Sequence, residues 1–183
     1  MQKVTQQVNI NGQPFRADII TFTQHDKAFI KKLFDDWKDL DTRLKAVSTR
    51  GVNIHEGISE SAFCLFFPNC VRVSKVHGNT SGSFDVLDLT TGRRIQIKAC
   101  STTNDLTTFG PRSIWDDLYF LDFSRMNGTF NVYLIPNNLI YQQGVNRNQT
   151  MRQQQAQNRR PRFSIMKKII IPNNLSPVKV CRL

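Results

Sequence analysis

The sequence predicts a mixed α/β (α+β) fold, with a sheet of about five strands flanked by helices. Two observations predict it. Apolar residues in the first part of the chain recur at helical spacing, and the middle part shows short apolar–polar alternations separated by turn residues. With 183 residues, of which 39% are hydrophobic, the chain is long enough to bury a core. It is short enough for us to expect a single domain over 1–183.

Two helices are predicted in the first part. The longer one covers 24–47, because Thr23 and Asp26 have the spacing of a capping box and apolar residues follow on one face. That face comprises Ile30, Leu33, Trp37, Leu40, Leu44 and Val47. It predicts packing on the core, with a dimer interface as the alternative. A second, more apolar helix is predicted over 54–67, where Pro68 ends it.

The strands are predicted as a single strand, two hairpins and a last buried strand. Their ranges are 70–76, 84–89, 94–99, 118–123, 129–135 and 168–171. A polar loop over 77–82 follows the single strand. The first hairpin turns at 90–92, and the second carries Asn127-Gly128, which is typical of a tight primed turn.

Charge is distributed unevenly, and this predicts a polyanionic partner. The net charge is +11, which favours nucleic acid over an acidic membrane. Residues 1–122 contain 15 Lys and Arg and all 14 acids, whereas residues 123–183 contain 10 basic residues and no acid. Within that part, 142–162 is rich in Arg, Gln and Asn and too polar to form a core segment. We expect it to order on a partner or to stay mobile.

The predicted DNA-binding arm covers about 142–168. Arginine suits guanine edges and phosphates, while Gln and Asn suit adenine edges. The candidate contacts are Arg147, Arg152, Arg159, Arg160 and Arg162. Further candidates are Arg50, Arg72 and Arg112, each of which is by itself more typical of a surface charge. A solvated loop is the alternative interpretation of the arm.

Cysteine usage and hydropathy predict a cytoplasmic protein. The four cysteines are widely spaced, without a pair typical of a zinc ribbon, and are expected to be reduced. No apolar run approaches the ~18–20 residues of a membrane span. The N-terminus lacks the apolar stretch of a signal peptide, so no membrane partner is predicted.

The first hairpin carries the residue types that metal-dependent hydrolysis needs. Gln96 and Lys98 lie two apart on one strand and therefore share a face. Pairing the strands with a four-residue loop sets Asp85 directly opposite Lys98. Glu60, from the second helix, could add another carboxylate. Carboxylate and amide oxygens suit Mg²⁺, and a lysine can stabilise charge on a phosphate. From spacing alone, an ordinary cross-strand ion pair remains the alternative.

The segment Phe84-Asp85 … Gln96-Ile97-Lys98 resembles the PD-(D/E)xK nuclease motif, with Phe in place of Pro and Gln in place of the second acid. Three longer stretches, 57–64, 95–99 and 109–120, resemble a small family of type II restriction endonucleases that cut GCNGC. This resemblance runs from about residue 37 to residue 135.

The resemblance implies a restriction-endonuclease-like core, Mg²⁺ dependence and a homodimer on a near-palindromic site in double-stranded DNA. By the match, Asp85 and Gln96 would be metal ligands, Lys98 the catalytic lysine and Glu60 the helix carboxylate. A cognate DNA methyltransferase would act in the same bacterial restriction-modification system without forming a stable complex. The alternatives are a mismatch or junction nuclease of the same core, and a non-enzymatic nucleic-acid-binding protein.

Overall fold

The computed structural model describes residues 1–78 and 83–183, and its mixed α+β architecture confirms the predicted class. Part of the predicted 77–82 loop, residues 79–82, lies outside the described residues. The helices are α1 (Lys27–Val47), α2 (Glu56–Phe66), α3 (Asn137–Gln142) and α4 (Met151–Ala156). The strands are β1 (Gln2–Ile10), β2 (Gln13–Thr21), β3 (Cys70–His77), β4 (Val86–Asp88), β5 (Arg94–Cys100), β6 (Thr107–Thr108), β7 (Asp117–Asp122), β8 (Thr129–Ile135), β9 (Arg162–Phe163) and β10 (Lys179–Arg182).

The main sheet has eight strands, in the order β1-β2-β3-β4-β5-β7-β8-β10, rather than the predicted five or so. Its neighbours are antiparallel except β5 and β7, which are parallel. A separate two-stranded sheet pairs β6 with β9. The prediction did not include β1, β2 and β10. The edge strands β1 and β10 are largely exposed, which weakens the hydrophobic pattern that marks a strand.

Helix α1 forms as predicted, after a short 3₁₀ turn over Gln24–Asp26. The capping box is confirmed, since the Thr23 amide donates to Asp26 Oδ2 at 2.8 Å. The predicted inner face is only partly correct. Ile30 and Trp37 are buried, but Leu40 is 50% and Val47 84% exposed. The buried face of the helix is therefore turned relative to the predicted one, and it includes Phe34, which the predicted face did not contain. The centroid of the Phe34 ring lies 5.7 Å from that of Phe123.

Both predicted hairpins form, with differences at their turns. In the first, Leu87 pairs with Arg94, a shift of two residues from the predicted register. In the second, β7 pairs with β8 as predicted. Its connection has positive φ at Met126 and Gly128 but not at Asn127, so Asn127 and Gly128 do not form the expected primed turn. The strands end at Asp122 and begin again at Thr129, close to the predicted bounds of 123 and 129.

The prediction of a buried strand over 168–171 is also wrong. Met166–Ile170 form a π-helical turn, in which the Ile171 amide donates to the Met166 carbonyl at 3.0 Å. Ile169 and Ile170 are buried, as expected, but Ile171 is 55% exposed. A short apolar run does not distinguish a strand from a helical turn.

The sheet carries a core on each face. Helices α1 and α2 pack on one face, against residues such as Ile97 and Leu121. Residues from α3, α4 and the π-helical turn pack on the other, against residues such as Leu118 and Phe120. All four cysteines are free and buried, in agreement with the prediction of reduced thiols. Within the described residues, no helix combines the length and the apolar character needed to cross a membrane.

Candidate active site

A cavity of about 510 Å³ opens between α2 and the central strands. Its charged lining comes from α2 and from strands β3 and β5, together with the residue before β4. The charged residues are Glu56, Glu60, Arg72, Asp85 and Lys98. Three of the four predicted catalytic residues therefore meet in one cavity, although they are separated by up to 38 positions in the chain.

Asp85 is held in place by the strand beside it. Its amide donates to the Ile95 carbonyl at 3.1 Å, and its Oδ2 accepts from the Ile97 amide at 2.8 Å. The Gln96 side chain donates to the same oxygen. Burial raises the pKa of Asp85, while the nearby Lys98 ammonium opposes that rise. The carboxylate is thus fixed in position and poorly solvated, so a cation beside it would stabilise its charge.

Gln96 occupies a different position from the predicted one. Because the hairpin register is shifted by two, Gln96 and not Lys98 lies level with Asp85. A shift of two residues keeps side chains on the same face, so the predicted grouping of the three side chains survives. Gln96 is only 3% exposed and lies behind the carboxylate of Asp85, not among the residues that line the cavity. Its amide nitrogen orients Asp85.

Lys98 extends into the cavity beside an aromatic ring. Its Nζ lies 5.9 Å from the centroid of Phe109, which is fully buried. The Phe109 ring packs in turn against Trp115 and Phe163 at 5.8 and 5.5 Å. This arrangement restricts where the ammonium can go, and the ring face attracts it. Phe109 was not predicted as a functional residue, although it begins one of the stretches that carry the family resemblance.

Glu60 pairs with Arg72 at the cavity wall. Glu60 is 8% exposed, and Arg72 Nε donates to its Oε2 at 2.5 Å. Burial raises the pKa of Glu60 to about 7, the charge of Asp85 adds to the rise, and Arg72 opposes it. Arg72 is therefore part of the site and not the isolated surface charge that the sequence favoured. Sequence spacing gives little indication of this contact, because Glu60 lies on α2 and Arg72 on β3.

The raised pKa of Glu60 predicts that stability depends on pH. The folded protein binds this proton more tightly than the unfolded chain, in which the pKa of Glu60 is close to its ordinary value of 4.5. Stability of the metal-free protein should therefore be highest while Glu60 is protonated and should fall as pH rises from about 4.5 to about 7. We expect the melting temperature to drop by several degrees over that interval. Thermal scans across pH would measure it.

Matched variants isolate the contribution of Glu60. Glu60→Gln should flatten the pH dependence, whereas Glu56→Gln, one turn away on the same helix, should leave most of it in place. An unchanged slope in Glu60→Gln would show that another group is responsible.

The donor chemistry of the cavity fits a divalent metal bound through oxygen. Asp85 and Glu60 bring two desolvated carboxylates close together, and Gln96 adds an amide beside them. Oxygen donors of this kind are those that hard ions such as Mg²⁺ prefer. Over residues 1–78 and 83–183, no three His, Cys, Asp or Glu side chains converge as a metal-binding group. The side chain beside Asp85 is the neutral Gln96, which adds an amide and not a further carboxylate.

The basic arm, 142–168, is more ordered than its composition suggests. It contains α4, whose first turn has a capping box between Thr150 and Gln153, and it contains β9. Met151 is fully buried in the second core, so the expectation that 142–162 contributes nothing to the core is wrong. Val145 packs partly against the same core, and so do Phe163 and Ile165 at the end of the arm. Composition averaged over a polar segment does not reveal such anchors.

The arm is attached next to the cavity. Its strand β9 pairs with β6, and the Phe109 amide donates to the Pro161 carbonyl at 3.0 Å. Phe109 is the residue whose ring lies beside Lys98. Two of the predicted contacts, Arg147 and Arg159, line an open cavity of about 590 Å³ on the arm itself. The other three, Arg152, Arg160 and Arg162, are exposed.

A mixed sheet flanked by helices, with an acid, an amide and a lysine on one hairpin beside a cavity, is typical of restriction-endonuclease-like nucleases. Comparison with known proteins agrees. The family model described as Bsp6I restriction endonuclease matches residues 22–172. The chain is 35% identical over 145 residues to the type II restriction enzyme Bsp6I of Bacillus sp. (strain RFL6). The aligned residues cover 78% of this chain and 79% of that enzyme. No solved structure matches.

The chain belongs to the Bsp6I restriction endonuclease family. It is therefore a sequence-specific endonuclease that acts on DNA, a type II site-specific deoxyribonuclease. The match is longer than the predicted range of 37–135 and includes the whole of the basic arm. Type II restriction endonucleases generally use divalent metal ions, which agrees with the oxygen donors of the cavity.

Proposed function

We propose that the cavity beside α2 is the active centre and that this enzyme cuts double-stranded DNA at a short near-palindromic site in a Mg²⁺-dependent reaction. The family resemblance implies GCNGC as that site. The observation that carries the proposal is the meeting of Asp85, Glu60 and Lys98 in one cavity. The same core could serve a mismatch or junction nuclease, and cleavage at one short sequence in intact duplex DNA separates the two.

Each residue of the cavity has a proposed role. Asp85 would hold the metal ion, with its carboxylate fixed by the Ile97 amide. When bound, Mg²⁺ supplies polarisation of the scissile phosphate and a lower pKa for a bound water. Lys98 stabilises the negative charge that builds on the phosphate. Glu60 adds a second carboxylate next to Asp85, and Arg72 keeps it oriented.

Gln96 is proposed as the second metal ligand. Its amide nitrogen now donates to Asp85, and its oxygen is the atom that a metal would need. Rotation of the terminal amide exchanges these two atoms. As a neutral ligand, Gln96 would give the ion an oxygen without a charge. The metal site would then carry less negative charge than one built with a third acid.

The basic arm is proposed to bind the DNA, with most of its arginines on phosphates. Each phosphate contact contributes ~0.9 to the slope of log K against log salt. Arg152→Ala and Arg160→Ala should therefore each weaken binding and flatten that slope by about one unit. Lys38→Ala, a half-buried lysine on α1, is the control that should change neither quantity. Titration of a duplex at several salt concentrations measures both.

The family resemblance implies a homodimer, and one surface of α1 supports it. Phe29, Leu40 and Val47 are 51%, 50% and 84% exposed, which is unusual for large apolar residues on a helix that packs on a core. Sedimentation equilibrium should give the mass of two chains. A single-chain mass both with and without cognate DNA would contradict the dimer.

The proposed function is tested by digestion of a sequenced plasmid. Discrete fragments should appear with Mg²⁺ and disappear with EDTA, and the mapped ends should share one short sequence. Cleavage that tracks mismatches or junctions would support the alternative nuclease, and binding without cleavage would support a non-enzymatic protein. The proposed setting is the bacterial cytoplasm, where a cognate methyltransferase would protect host DNA without forming a stable complex.

A further inference from the structure

Arg159 stands out in the basic arm because its main chain is fixed at the end of α4. The helix ends in a Schellman motif. In it, the Arg159 amide donates to the Gln154 carbonyl at 2.9 Å. The Asn158 amide donates to the Gln155 carbonyl at 2.8 Å. Asn158 has a φ of 58°, the left-handed conformation that the motif requires at this position. The starting point of the Arg159 side chain is therefore defined.

A neutral amide also holds the guanidinium of Arg159. Its Nη1 lies 3.4 Å from Oε1 of Gln149. Nε2 of Gln149 donates to Oε1 of Gln157 at 2.9 Å, and this bond turns the Gln149 oxygen toward the arginine. The side-chain Nδ2 of Asn146 donates to the same Gln149 oxygen at 3.4 Å. Among the described residues, Arg159 is the one arginine of the arm whose guanidinium forms a hydrogen bond with another side chain.

These groups surround an open cavity. Arg147 and Arg159 line it together with Asn146, Asn148 and Gln149, and its volume is about 590 Å³. No acid lines the cavity. Because an amide positions the guanidinium without neutralising it, the charge and most of the N–H donors of Arg159 stay available to a ligand.

We infer that Arg159, positioned by Gln149, reads the major-groove edge of a guanine that enters this cavity. The inference rests on the proposed function of the arm as the DNA contact. Arginine donates to O6 and N7 of guanine in a fixed fork, and a pre-positioned fork loses less conformational entropy on binding. An arginine free in solvent neutralises phosphates equally well without such positioning. Gln149 is a positioning residue, and Arg159 determines specificity.

The test uses duplexes of the mapped cleavage site in which each guanine is replaced, one at a time, by 7-deazaguanine, which lacks N7. Arg159→Ala should weaken cognate binding by about 5- to 150-fold and change random-DNA binding much less. At one guanine, 7-deaza substitution should weaken the wild-type protein but should weaken Arg159→Ala no further. Gln149→Leu should show the same loss of sensitivity at the same guanine.

Two variants serve as controls. Arg160→Ala should weaken cognate and random DNA alike and keep the 7-deazaguanine response. Gln7→Leu, an exposed position on β1 and outside the arm, should resemble the wild-type protein. If Arg159→Ala weakens all DNA equally and keeps its sensitivity at every guanine, Arg159 is a phosphate contact and the inference is wrong, although the arm still binds DNA. If all arm variants bind like the wild-type protein, the proposed function of the arm fails as well.

Discussion

Asp85→Ala and Lys98→Ala should each abolish cleavage while leaving DNA binding largely intact. The first change removes the proposed metal-binding carboxylate, and the second removes the ammonium proposed to stabilise charge on the phosphate. Loss of one such electrostatic contact typically costs about 10²–10³-fold in rate, and loss of the metal costs more. Single-turnover cleavage of the mapped site, with enzyme in excess, measures the effect separately from binding.

Two further variants separate lost chemistry from lost folding. Asp85→Asn keeps an oxygen for the Ile97 amide, so it should fold well and still fail to cut. It also removes a buried charge, so its thermal stability should not fall. Asp88→Asn is the matched control. Its carboxylate accepts from the amides of Thr90 and Thr91 in the hairpin turn, away from the cavity, and cleavage should persist. Near wild-type cleavage by either the Asp85 or the Lys98 variants would show that the site assignment is wrong.

The second large effect is expected at Gln96. Gln96→Leu should be inactive, because leucine offers no oxygen to a metal and no donor to Asp85. Gln96→Glu should keep some Mg²⁺-dependent activity, since a carboxylate can take the place of the amide oxygen. Because the new acid would lie buried beside Asp85, this variant should be less stable without metal and should be stabilised strongly by Mg²⁺.

The two variants together distinguish a ligand from an orienting residue. If Gln96 acts only by donating its amide hydrogen to Asp85, Gln96→Glu should be as inactive as Gln96→Leu. Full activity in Gln96→Leu would mean that the buried amide has no part in the reaction. Melting curves with and without Mg²⁺ should accompany the cleavage rates.

Local patterns in the sequence were enough to predict α1, α2 and the hairpin that carries the site. The capping box at Thr23 and the helical spacing after it mark α1, and alternation marks β5. The grouping of Asp85, Gln96 and Lys98 on one face follows from the two-residue period of a strand, and it tolerates the register error because that error is an even number of residues.

Long-range pairing could not be predicted in the same way. The hydrogen bond between Glu60 and Arg72 joins a helix to a strand, and the parallel pairing of β5 with β7 depends on the whole sheet. The β1–β2 hairpin could have been found. Asn11 and Gly12 both have positive φ, as a primed turn requires, and Asn-Gly is the strongest short signal for such a turn.

The most direct test of the central claim locates the metal itself. Fe²⁺ in place of Mg²⁺, with ascorbate and peroxide, generates hydroxyl radicals at the bound ion, and these cut the polypeptide nearby. The protein bound to uncut DNA should be cleaved near Asp85 and Gln96, and Asp85→Ala should lose these cuts. Cuts elsewhere in the chain, or cuts near Asp85 that persist in the variant, would contradict the assignment of this cavity as the metal-dependent catalytic centre.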